Sequence, residues 1–290
     1  MRRFGSPVFF CYIDNASTEP HTYGMIRIGL LFLTLYSTCV LAQKPIVESV
    51  EVKDGYQIEV SNPGYLPVSL VFNFQLDNLR VEGAPDTVVV GPNTRRTVHR
   101  LSRIRGNSGT HFRYNYTSFV GDYRSRPYDT AYVYYLPFRG KAGRRVMQGY
   151  NGSFSHRDKA ALDFDLPEGT PVHAARAGRV VEVINTNDSG CPDPVCMNFS
   201  NLVRILHSDG TIAEYVHLLK EGTTVREGKK VKTGDLIGYS GNTGFSSAPH
   251  LHFAVYQQRI GYRVFLPTSF RTAFGENMML VEGESYATGE

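Results

Sequence analysis

The sequence predicts an all-β protein: an N-terminal immunoglobulin-like sandwich followed by a compact, strongly curved antiparallel β domain. Three observations carry that expectation. No helical period of useful length appears, short alternating apolar and polar runs recur, and Gly, Pro, Asn and Asp punctuate them at turn spacing. The 290 residues, 41% hydrophobic and 20% charged, suit about two ordinary globular domains. Lys and Arg are scattered and the formal charge is only +4, which argues against a nucleic-acid-binding arm.

Residues 1–42 stand apart from the fold. "MIRIGLLFLTLYSTCVLAQ" places Arg27 ahead of an apolar run from Ile28 to Val40, then Val-x-Ala before Gln43. This is the pattern of an export signal over about 25–42, cleaved after Ala42. A membrane anchor needs about 18 apolar residues, and this run is shorter and broken by Thr34, Ser37 and Thr38. Lipidation of Cys39 fits poorly with Tyr36 and Thr38 ahead of it, and residues 1–24 read as the product of an upstream start codon. Membrane contact is therefore expected only through a cleaved signal. Three basic and two acidic residues lie in 1–42, so the mature chain carries about +3.

Over 43–138, runs such as "VESVEVKD", "YQIEV", "PVSLVFNFQL", "TVVVGPN" and "AYVYYLPF" alternate between Asp-Gly, Asn-Pro-Gly and Gly-Pro-Asn turns, the texture of the sandwich. Its aromatic strands read as sheet packing and its role as a spacer or docking domain. The polar, glycine-bearing "RGKAGRRVMQG" puts a connection at 139–152. The second domain follows at 153–270, where glycines interrupt short valine-rich runs, and 271–290 reads as a C-terminal tail. Cys191 and Cys196, in the loop "SGCPDPVC", are an even pair in an exported chain and predict a disulfide. A metal-binding pair would need a second Cys or His pair nearby at zinc-ribbon spacing, and none is present.

The chemistry concentrates in "SSAPHLHFAVY". On a strand, His250 and His252 share a face while Leu251 and Phe253 point to the other. Two imidazoles side by side need something to satisfy their nitrogens, either ordinary hydrogen bonds or a metal ion. "FSHRDKAALDFDLPEGTPV" adds His156 and Asp163, and "EYVHLL" adds His217 on a further strand. Two histidines, one carboxylate and an open position form the donor set of catalytic zinc.

These motifs resemble the M23 zinc metallopeptidases of the lysostaphin and LytM type, which cut peptide bonds in bacterial peptidoglycan. The resemblance covers about residues 146–266 and rests on "LDFDLPEGTPVHAARAGRV", "EYVHL" and "VKTGDLIGYSGNTGFSSAPHLHFAVY", matching in order and spacing. It implies an M23-type β fold, His156, Asp163 and His252 as ligands of one Zn2+, and His217 and His250 as unligated catalytic histidines. It also implies an exported enzyme, periplasmic or secreted, acting on stem or cross-link peptides of the cell wall.

One departure concerns His156. The family's common first motif is His-x-x-x-Asp, whereas six residues separate His156 from Asp163 and Lys159 holds the usual histidine position. Looser members place "SH" earlier, and His156 fits those. His173 reads as a surface histidine and His207, in "ILHSDG", as a strand-to-turn corner. The glycine run "GYSGNTG" is expected to form a flexible rim over a substrate groove. Two other readings compete: a degenerate M23-like domain that binds the wall or regulates another hydrolase, and a lipoyl-type carrier barrel suggested by "VREGKKVKTGDLIG". The carrier reading lacks its exposed lysine in the proper setting.

Overall fold

A computed structural model describes residues 13–14, 44–83, 86–106, 108–124 and 127–289; the expected export signal lies outside them. Their regular secondary structure is entirely β apart from one 3-10 turn at Pro194–Phe199. No helix among them is long and apolar enough to cross a membrane.

The first domain is a two-sheet sandwich. One antiparallel sheet runs in the order Ile46–Val52, Gly55–Asn62, Thr94–Arg103, Leu79–Gly83. The other runs Ile13–Asp14, His111–Val120, Val68–Asp77, Thr87–Val90. Alternation decides which face turns inward: Ile58 and Val60 of the first sheet meet Leu70, Phe72, Val88 and Val90 of the second in one buried cluster.

The second domain is built on a nine-stranded antiparallel sheet. Its order is Lys230–Val231, Gly178–Ile184, Leu202–Leu206, Ile212–Val216, Leu251–Arg259, Ala161–Phe164, Arg144–Gln148, Ser285–Tyr286, with Tyr262–Phe265 also pairing Leu251–Arg259. Alternate residues of the central strands, among them Leu162, Phe164, Tyr215, Leu251, Phe253 and Val255, point into one apolar core. Their neighbours Asp163 and His252 face the other way and pair directly across adjacent strands. The sheet therefore separates a dry side from a side free to carry chemistry.

Three boundaries differ from those expected. The second compact unit takes in Tyr65–Pro67 and the chain from Phe119 onward, not from after 138, and Val133–Tyr135 pairs in parallel with Ser269–Thr272 of that unit. The segment 139–152 is no linker: Arg144–Gln148 is a sheet strand, with Val146 fully buried and Gln148 8% exposed. Its arginines gave it a polar look, yet Val146 lies in the apolar core, and a register shift between Val146 and Gln148 sets Gln148 across from Asp163 on the other side of the sheet. The tail 271–290 returns to the sheet through Ser285–Tyr286, and Tyr286 is buried in the core.

Candidate metal centre and its flanking histidines

Asp163 stands in the strand Ala161–Phe164, opposite His252 in Leu251–Arg259. His156 arrives from the loop between Arg144–Gln148 and Ala161–Phe164 and is wholly buried. One ligand atom from each of these three side chains lies within 4.8 Å of the others. His252 Nδ1 is 2.9 Å from Asp163 Oδ1, and His156 Nε2 is 3.2 Å from both His252 Nδ1 and Asp163 Oδ1.

Tautomers follow from the carbonyls. A carbonyl oxygen only accepts, so His156 Nδ1–H donates to Gly149 O at 3.0 Å and leaves a lone pair on Nε2. That lone pair, the Asp163 carboxylate and His252 Nδ1 converge on one region, where acceptors outnumber protons and a cation satisfies them all. Two imidazole nitrogens and one carboxylate oxygen are donors that zinc takes in three-ligand sites. The residues present therefore fit such an ion. Burial would raise the Asp163 pKa, but the adjoining His156 and His252 rings outweigh it and hold the carboxyl well below the usual range. Burial likewise opposes charge on His252, yet its bond to Asp163 pushes its pKa up.

His217 and His250 sit beside this cluster, their ring centroids 4.5 Å apart. His217 follows the strand Ile212–Val216 at φ 66°, a left-handed conformation that costs a β-carbon-bearing residue energy and recurs at functional sites. Its Nδ1–H donates to Thr243 O at 2.7 Å. His250 Nδ1–H donates to Ala248 O at 2.7 Å, with Ser246 Oγ 3.1 Å away. Both rings therefore carry the Nδ1 proton and keep a lone pair on Nε2. His250 Nε2 lies 3.8 Å from Asp163 Oδ1. Burial, with His250 and His252 close by, pushes the His217 pKa down to about 3; burial also lowers that of His250. Both are held neutral, as proton acceptors must be.

Supporting groups come from segments that the sequence pattern does not mark. Gln148 Nε2 donates to Asp163 Oδ2 at 3.1 Å. Glu282, in the C-terminal segment, accepts from Gly149 N at 3.0 Å and so anchors the residue whose carbonyl orients His156. Thr243 is fixed through its hydroxyl, which accepts from Asn201 N and donates to Leu218 O. The glycine run packs closely against neighbouring backbone. A β-carbon on Gly244, at φ 81°, would lie 1.9 Å from Ser200 Oγ, so glycine is required there by close packing.

Cys191 and Cys196 form the expected disulfide. Gly190–Cys191 pairs in parallel with Gly244–Phe245, joining the disulfide loop to the segment that holds both flanking histidines. His173 is half-buried, bonded to Gly234 O at 3.1 Å, and His207 is buried at the end of Leu202–Leu206, bonded to Ala177 O at 2.9 Å; neither joins the cluster.

Residues 157–263 match the model of peptidase family M23. The second domain is an M23 peptidase domain. The M23 domain is similar to the glycyl-glycine endopeptidase ALE-1 of Staphylococcus capitis, 41% identical over 93 residues, which is 32% of this chain and 23% of that protein. It is also similar to the peptidoglycan DD-endopeptidase ShyA of Vibrio cholerae, 40% identical over 91 residues, 31% of this chain and 18% of that protein. Among solved structures, the catalytic domain of lysostaphin from Staphylococcus simulans shares 32% identity, covering 39% of this chain and 78% of that chain with a TM-score of 0.30. The matched region thus spans less than a quarter of these two relatives, and the assignment of the M23 domain rests on the sequence matches.

Proposed function

We propose that the M23 domain is a zinc-dependent endopeptidase that hydrolyses peptide bonds in the stem or cross-link peptides of bacterial peptidoglycan. The observation that carries this reading is the convergence of His156, Asp163 and His252 within 4.8 Å, beside two neutral histidines outside that donor set. The named activities of ALE-1 and ShyA support the substrate class. The disulfide and the N-terminal sequence pattern support export to the periplasm or beyond.

A zinc ion held by the three ligands supplies a Lewis acid and lowers the pKa of bound water toward neutrality. The chain's own residues do the rest. His250 is assigned the role of proton acceptor: it is neutral and carries its lone pair on Nε2 beside the ligand set, 3.8 Å from Asp163 Oδ1. His250 then returns that proton to the leaving amine. His217, whose protonation is suppressed to about pH 3, accepts a hydrogen bond at Nε2 without taking the proton and orients the attacking water.

Digestion of purified sacculi with and without a chelator, with products identified by mass, tests the proposal. Chelator-sensitive release of peptide fragments is expected. Binding to sacculi without any release would instead identify a wall-binding domain that has lost catalysis.

A further inference from the structure

We propose that Gln148 is a positioning residue for the metal centre: it fixes which oxygen Asp163 presents and ties the His156 loop to that carboxylate. The inference rests on the zinc-peptidase reading. Gln148 ends the strand Arg144–Gln148, directly across from Asp163, and is nearly buried.

Every polar atom of its side chain is engaged. Nε2 donates to Asp163 Oδ2 at 3.1 Å and to Ser155 Oγ at 2.7 Å. Oε1 accepts from the backbone N–H groups of Phe154 at 3.1 Å and Ser155 at 3.2 Å. The amide can point only one way, since reversing it would set an oxygen against the carboxylate and an NH2 group against two N–H donors. Glutamine has both halves that this position requires. Glycine at 152 makes room for it, because a β-carbon there would lie 2.4 Å from Gln148 Cγ.

The two carboxylate oxygens of Asp163 are thereby made unequal. Oδ2 is held by Gln148, while Oδ1 is left toward His252 Nδ1 at 2.9 Å and His156 Nε2 at 3.2 Å. Without the amide, the carboxylate would be free to turn about its χ2 bond and present either oxygen or both. The loop that delivers His156 would lose its tie to Phe154 and Ser155 in the same stroke. Groups that orient metal ligands in this way govern affinity without touching the ion.

The test uses the full chain. Zinc affinity is measured by competition with a chromophoric chelator, and Co2+-loaded protein is examined by visible absorption. Gln148→Met, which keeps the volume and removes the amide, is expected to weaken zinc binding about 10- to 100-fold and to change the Co2+ band shape. Gln148→Asn, which keeps the amide but falls a methylene short, should change both in the same direction. A Gln148→Met protein that binds zinc as tightly as the wild type with an unchanged Co2+ spectrum overturns the proposal alone. A wild type that takes up no metal overturns the zinc reading and this proposal with it. Should circular dichroism show that the variants do not fold, a metal-loaded wild-type crystal structure decides. Coordination through Oδ1 with Oδ2 still on Gln148 supports the assignment, and bidentate or Oδ2 coordination refutes it.

Discussion

Acid is expected to unlock the second domain through His207. This ring is 3% exposed; its Nδ1–H donates to Ala177 O at 2.9 Å, its Nε2 has no hydrogen-bond partner among the described residues, and its edge meets the Tyr134 ring 6.0 Å away. Burial pushes its pKa down from 6.5 to about 4, with the Arg176 charge acting in the same direction while the Ala177 bond and Asp209 act against it. The folded chain thus resists a proton that the unfolded chain accepts near pH 6.5. His207 costs nothing above that pH, and stability is lost as pH falls from 6.5 toward 4. At 1.36 kcal/mol per unit, the loss is about 2 kcal/mol by pH 5 and about 3 kcal/mol by pH 4. His207→Asn keeps a donor for Ala177 O and cannot titrate in this range. Urea unfolding of both proteins across this interval isolates the effect, because every other titrating group, and any bound metal, is common to the two. The wild type should lose about 2 kcal/mol more than the variant between pH 7.5 and 5. Parallel decline of the two curves would refute the reasoning.

Other expectations concern the site. His252→Ala should lose zinc and peptidoglycan hydrolysis together, read by metal analysis and turbidity clearing of sacculi. His250→Ala should retain about one zinc per chain while kcat falls about 10²- to 10⁴-fold; zinc retained by His252→Ala but lost by His250→Ala would reverse these assignments. Gly244→Ala should lower both the melting temperature and kcat, since the added carbon meets Ser200 and displaces the segment that holds His217; an unchanged melting curve would contradict the packing. Replacing both Cys191 and Cys196 by Ser should cost about 2 kcal/mol on loop-closure grounds and reduce turnover with metal intact. Denaturant titration and metal analysis check the two halves of that statement.

The sequence made the centre of the site legible for a definite reason. Asp163 and His252 lie on strands whose alternation shows which side chains share a face, His250 stands in an isolated bridge just before one of them, and a polar residue inside an apolar run stands out. His156 was read beside Asp163 in the same run, although it departs from the family's usual His-x-x-x-Asp spacing, and the structure brings it to the same cluster. The all-β class followed from the same alternation, and the disulfide from the two cysteines that lie beyond the expected export signal. What stayed hidden acts through the backbone or over long sequence separation. Thr243 works through its carbonyl, as does Gly149, and any residue type offers one. Gln148 was masked by its neighbours: in "RRVMQG" two arginines and a glycine outweigh the single inward Val146. Glu282 meets Gly149 across 133 residues of chain, a closure that local pattern does not encode.

That last contact bears on how the M23 domain can be cut from its parent chain. A fragment ending near residue 270, where the motifs run out, would discard Glu282 and the strand Ser285–Tyr286. One starting at 153 would discard Gln148 itself. Recombinant M23 fragments trimmed to the motif boundaries would lack these supports of the candidate metal centre, and their inactivity would say nothing about the native protein.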